Sequence, residues 1–153
     1  MGFPSNGHFF QEFDINPLDF KGLKTNVTGI TLTNSAQEQD GVTSPYYGRP
    51  LAKLNVDIEN TRNTPAVTNI CSTEAKVIFD NGNDEVLGCE LVSKNFSGVI
   101  PASSKMIVDL WFFPTNFKII GLDTVLRAKL TWRDYDPETN QPNDLEISLP
   151  IQP

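Results

Sequence analysis

The stretch that decides the fold reads Leu51-Ala-Lys-Leu-Asn-Val-Asp-Ile-Glu-Asn60. Ala52, Leu54, Val56 and Ile58 fall on one side of it, and Lys53, Asn55, Asp57 and Glu59 fall on the other. Successive side chains of a β-strand point to opposite faces, so this period of two predicts a strand with one buried and one wet face. Working outward, the same alternation recurs at Ile30 and Leu32, at Ala75, Val77 and Phe79, and at Leu87, Cys89 and Leu91. It recurs again at Met106, Val108, Leu110 and Phe112, at Leu126, Ala128, Leu130 and Trp132, and at Leu145, Ile147 and Leu149. Seven strands are legible in this way. Turn-forming clusters separate them: Asn60 to Pro65, Asn81-Gly82-Asn83, Pro101 to Ser104, and Asp134 to Asn143. Helical spacing shows only weakly, around Phe117 to Val125.

Short strands joined by turns, with no helices between them, predict an all-β fold: a two-sheet antiparallel sandwich, immunoglobulin-like or jelly-roll-like. The run Leu54 to Asn60 followed by Thr64-Pro65-Ala66, and later Gly98-Val-Ile-Pro101-Ala-Ser-Ser104 before a new strand, carries a resemblance. It resembles the immunoglobulin-like modules of bacterial surface proteins and of late-embryogenesis desiccation proteins, over Leu51 to Phe113. The resemblance implies a sandwich and no particular activity, because one fold hosts many functions.

At 153 residues the chain fits one domain, and its apolar residues, 39% of the total, are spread along the whole length as a single core requires. Residues 26–153 form that domain in our reading, preceded by an N-terminal arm, residues 1–25. The net charge of −7 repels a phosphate backbone unless cations gather on one face. The nearest grouping, Arg127, Lys129 and Arg133, alternates as a solvated strand face does, so nucleic acid is not an expected partner. No apolar run approaches the ~20 residues of a membrane span; the longest, Met106 to Phe113, is interrupted by Asp109. The opening Met-Gly-Phe-Pro-Ser-Asn-Gly-His lacks the basic end and apolar stretch of a secretory signal, and Asn6 replaces the Ser or Thr of a myristoylation motif.

Chemistry-bearing residues are sparse. A catalytic triad would have to use His8, the one histidine, carried on the arm. One histidine and two cysteines fall short of a zinc site, and no phosphate-binding loop or nucleophile elbow is present. Asp134, Asp136, Glu138, Asn140 and Asp144 alternate as in a calcium loop, but Thr139 and Leu145 stand where that loop needs glycine and an acid. The plainer expectation is a solvated hairpin turn, and Asp134 with Asp136 is a weak candidate for an acid–base pair. No cofactor or metal is expected, and the protein is read as a non-enzyme. Asn26-Val-Thr28 and Asn95-Phe-Ser97 match the glycosylation triplet.

Cys71 and Cys89 pose a register problem. If Asn81-Gly82-Asn83 is the hairpin loop, Cys89 faces Ala75. A strand continuing back to Cys71 then places it about 13 Å further on at ~3.3 Å per residue, beyond the roughly 7 Å that a disulfide spans. Two buried free thiols are therefore expected, unless a turn at Ser72-Thr73 folds Cys71 back.

Two features ask for cover. Phe3, Phe9, Phe10, Phe13 and Phe20, half of the ten phenylalanines, lie in the first twenty residues. The strand from Lys105 to Phe113 carries Ile107, Trp111 and Phe113 on the side opposite Val108 and Leu110, so both its sides are apolar. An arm that closes its own sandwich, or a neighbouring subunit, would cover these groups. Phe3, Phe9, Phe10, Phe13, Ile107, Trp111 and Phe113 are accordingly the candidate interface. The expected function is protein association, by self-association or with a protein partner, as a subunit or appended domain of a surface, pilus-like or virion assembly. An extracytoplasmic or virion-surface location goes with that role. The alternative is a carbohydrate-binding module, with Tyr46, Tyr47, Trp111, Trp132 and Tyr135 as stacking platforms.

Overall fold

A computed structural model describes residues 8–33, 35–72, 75–80, 85–113 and 127–151. Twelve strands occur among them: β1 His8–Glu12, β2 Leu18–Phe20, β3 Leu23–Thr33, β4 Leu51–Asn60, β5 Ala66–Val67, β6 Lys76–Asp80, β7 Glu85–Gly88, β8 Leu91–Val92, β9 Val99–Ile100, β10 Ser104–Phe112, β11 Arg127–Tyr135 and β12 Pro142–Pro150. The first sheet has the order β1-β3-β4-β10-β8, with β2 also paired to β3; the second has the order β12-β11-β6-β7. A two-stranded piece, β5-β9, completes the fold. Every pairing is antiparallel.

The sheets face each other through the alternating side chains. Ala52, Leu54, Val56 and Ile58 of β4 lie in register with Phe112, Leu110, Val108 and Met106 of β10. Against them pack Val77 and Phe79 of β6, Leu130 and Trp132 of β11, and Ile147 and Leu149 of β12. Each fully buried aliphatic or aromatic side chain contributes about 1.5–3 kcal/mol, and this one cluster draws on both sheets. The expected all-β sandwich is what the chain forms. The seven strands legible in the sequence are β3, β4, β6, β7, β10, β11 and β12; the weak helical signal at 117–125 lies outside the described residues.

The described part of the N-terminal arm packs on its own sandwich. His8 to Glu12 pair with Thr33 to Gly29, and Leu18 to Phe20 pair with Thr25 to Leu23, so the boundary drawn at residue 25 falls inside β3. Phe9 enters the main core, with Phe13 packed at its margin. The register of β3 on β4 shifts between Val27 and Gly29. A Cβ at Gly29 would stand 3.0 Å from Asn55 Oδ1 and 3.3 Å from the Phe10 ring, so the bulge brings β1 and β4 too close for a side chain.

The cysteines are bridged, which corrects the expectation of free thiols. Cys71 and Cys89 form a disulfide with Cα atoms 5.4 Å apart. The hairpin register is as expected, with Lys76 opposite Gly88 and Cys89 N–H donating to Ala75 O. The error lay in extending the strand: β6 begins at Lys76, and Ala75 N–H donates to Ser72 O in a turn that folds Cys71 back beside Cys89.

Candidate functional site

Three regions carry the residues singled out by the sequence: the outer face of the first sheet, the loop between β3 and β4, and the end of the sandwich where the β11–β12 hairpin lies.

On the outer face, strand alternation sends Trp111 and Ile107 away from the core, as expected. What covers Trp111 is the chain's own β3–β4 loop. Trp111, 8% exposed, packs with Ala36, Val42, Leu51 and Phe113 in a second small apolar cluster, and its Nε1–H donates to Asp40 O at 2.8 Å. Gly41, at φ 83°, lies so close that a Cβ there would stand 2.9 Å from the indole. Tyr46 stacks on Phe113 at 4.7 Å between centroids, and Arg49 lies over both rings. Lys53 lies over Trp111, 5.2 Å from its centroid. His8 Nε2 is 3.4 Å from Asp40 Oδ1, so β1 also touches this loop.

The cover stops partway down the sheet. Ile107, opposite Asp57 on β4, is 75% exposed. Around it lie the pairs Lys105–Asp57 at 3.4 Å, Lys53–Asp109 at 3.8 Å and Asn55 Nδ2 donating to Asp109 Oδ1 at 2.8 Å. Phe10, 51% exposed, sits on β1 at the margin of the same face. Of the seven candidate interface residues, Ile107 and Phe10 are thus open, Phe13 is half-buried, and Phe9, Trp111 and Phe113 are buried within the chain. Phe3 lies outside the described residues. Asn26 is held within β3, and Asn95 sits exposed in the turn before β9.

At the end of the sandwich, the acidic run separates into different structural tasks. Asp134, 1% exposed, accepts hydrogen bonds from Thr68 Oγ1 at 2.9 Å, Asn69 N–H at 2.7 Å and Trp132 Nε1–H at 3.1 Å. A buried carboxylate is tolerated when donors surround it, and the two from Thr68 and Asn69 fasten the segment after β5 onto β11. Asp136 accepts the N–H groups of Glu138 and Thr139 and lies 3.6 Å from Lys21 Nζ. The Glu138 and Thr139 N–H groups, with Lys21 nearby, hold its carboxyl below the ordinary value of 3.8. Asp144 pairs with Arg133, and Glu146 with Lys129, on the outer face of the second sheet. The run spans a hairpin turn, and its three aspartates point to separate partners. Among the described residues no three His, Cys, Asp or Glu converge as a metal would require, and Asp134 and Asp136 are each engaged with their own donors.

The cleft at this end is not legible in the sequence. The β2–β3 turn, the link after β4 and the β11–β12 hairpin meet there. Asn60 Nδ2 donates to Thr64 O at 2.9 Å and Ile100 O at 3.0 Å, and its Oδ1 accepts Arg62 N–H. Arg62 Nε and Nη2 donate to the carbonyls of Lys21 and Phe20 at 2.7 and 2.9 Å. The resulting cleft has a volume of about 310 Å³ and is lined by Arg62, Val67, Asn69, Tyr135, Asp136 and Asn140, with Pro65 and Pro137. A second hollow of about 220 Å³ shares Val67 and Asn69 with it and reaches Cys71 and Phe96. Val67 is 63% exposed opposite Val99, and Tyr135 is 45% exposed. Tyr135, Asp136 and Asn140 were noted in the sequence, though not as one site; the rest are ordinary residues brought beside them by long-range pairing.

No protein-family model matches the chain, and no curated protein matches it in sequence. Solved structures do resemble it. A functionally unknown protein from Listeria monocytogenes EGD-e superposes with a TM-score of 0.66 at 11% identity, covering 94% of this chain and 86% of that one. A conserved hypothetical protein from Bacillus anthracis gives 0.50 at 10% identity, covering 79% and 89%. A "putative lipoprotein" from Bacillus subtilis gives 0.53 at 12% identity, covering 90% of this chain and 39% of that one. At such identities the likeness is one of fold alone. No helix among the described residues is long and apolar enough to cross a membrane.

Proposed function

We propose that the chain is a non-enzymatic, immunoglobulin-like sandwich module that works by protein association, as a subunit or appended domain of a surface, pilus-like or virion assembly. The observation that carries this reading is Ile107. It stands open in the middle of β10, within a border of paired charges and amides, beside the part of that face that the chain's own loop covers. An apolar centre inside a polar rim is the anatomy of a protein interface. The disulfide supports a place in an oxidising compartment, since such bridges persist there and are rare in the cytosol. The Bacillus subtilis neighbour named as a lipoprotein is in keeping with a surface setting.

The test is Ile107→Asp. Sedimentation from micromolar to millimolar concentration should show association of the parent chain, or of chain plus partner, that the variant loses. Chemical denaturation should be unchanged, because an exposed side chain adds little to folding. A variant that associates like the parent defeats the reading. A broad aromatic platform for sugars is not available on this face, because Trp111 is buried and Tyr46 is stacked on Phe113.

A further inference from the structure

We propose that the cleft between Arg62 and Tyr135 is a saccharide-binding site. The inference is independent of the Ile107 face and concerns a different part of the molecule.

Four observations converge on it. First, Tyr135 offers a half-exposed ring beside Val67, and an aromatic face attracts the polarised C–H groups of a pyranose. Second, hydrogen-bonding capacity is left over. Arg62 is fixed by Nε and Nη2, its Nη1 has no partner among the described residues, and no carboxylate there pairs with it. Asn69 uses its Nδ2 on Arg133 O, leaving Oδ1 as an acceptor. The side chain of Asn140 lines the cleft from a residue at φ 59° and has no hydrogen bond among the described residues. Third, the lining is mixed rather than apolar, as a polyhydroxylated ligand demands and an aliphatic peptide anchor does not. Fourth, the walls are fixed beforehand: Asp134 holds residues 68 and 69, Asn60 holds the start of the link, and the Cys71–Cys89 bridge lies just beyond. A preformed wall lowers the ordering cost of binding.

The cleft volume of about 310 Å³ suits a short stretch of glycan. Arg62 selects further. Asp136, the carboxylate of the cleft, is already engaged by the Glu138 and Thr139 N–H groups and by Lys21, which leaves the Arg62 guanidinium to match a sugar carboxylate, so uronic-acid-containing glycans should bind better than neutral ones.

The experiment presents the folded, disulfide-bonded chain to an array of neutral and carboxylated oligosaccharides, then titrates the best of them against the 15N-labelled protein. Amide shifts should map to residues 62–69 and 135–140. Tyr135→Ala should weaken binding about tenfold or more, as loss of a central aromatic contact does. Arg62→Gln should erase the preference for carboxylated sugars, and Tyr47→Ala, on the β3–β4 loop, should change nothing. The amide spectrum of each variant reports whether it is folded. Three results would overturn the proposal: no saccharide shifts these amides, a saccharide binds but Tyr135→Ala binds it equally well, or only peptides shift them.

Discussion

Replacing Trp111 by alanine asks whether the outward face of β10 belongs to the fold or to an interface. The indole is buried by Ala36, Val42, Leu51 and Phe113 of the same chain, and its Nε1–H is bonded to Asp40 O. Truncating a buried aromatic residue costs about 3–5 kcal/mol. The lost hydrogen bond is about 1 kcal/mol of that, since Asp40 O can turn to water once the ring is gone. The cluster is a satellite with few buried members, so its collapse should be limited to the β3–β4 loop, and the lower part of the range is expected. Trp111→Phe keeps most of the apolar area and drops only the donor, so it should cost about 1–2 kcal/mol. Urea denaturation gives the magnitudes, and hydrogen exchange should show protection lost at residues 35–50 before the sheets open. An unchanged denaturation midpoint together with altered sedimentation would refute this reasoning and return Trp111 to the interface expected from the sequence.

Three further outcomes follow from the same geometry. Thiol titration of the denatured, unreduced chain should find neither cysteine reactive, and Cys71→Ser with Cys89→Ser should lose about 3 kcal/mol in urea denaturation, given a separation of 18 residues. Asp134→Ala should lose about 3–5 kcal/mol, because Thr68 and Trp132 are left as buried donors and Asn69 as a half-buried one without an acceptor; a loss below about 1 kcal/mol would contradict the network. Asp136 has a folded pKa below its ordinary 3.8, so its contribution is present above pH 3.8 and is lost as pH falls through the lower folded value. The stability gap between the parent and Asp136→Ala should therefore narrow in acid denaturation below pH 3.8, and a gap that widens there would contradict the assignment.

How far the sequence could be read depended on how local each signal is. The strands β4, β10 and β11 alternate strictly, so both their existence and their buried faces were legible. The N-terminal strands were not, because Phe9 and Phe10 are adjacent and Gln11 stands where alternation from Phe9 needs an apolar residue, which reads as an apolar arm. The cover over Trp111 comes from Ala36, Val42 and Tyr46, spaced without any period, in a loop whose path is set by Gly41 and Asp40. A single turn before Lys76 decided the disulfide, and no pattern in the sequence distinguishes that turn from a longer strand. The cleft was the least legible of all. Arg62 and Asn69 are far from Tyr135 in the chain and meet it only because the segment after β5 is tied to β11 by the buried Asp134.

The central claim, that this sandwich works by association through the open part of its first sheet, is tested most directly by a photoreactive residue placed at position 107 in the native host. The account predicts a discrete covalent adduct with a protein, either a second copy or one partner, with the same substitution at Tyr47 giving none. Irradiation that leaves the chain uncrosslinked at 107, under conditions where it is folded and disulfide-bonded, would contradict it.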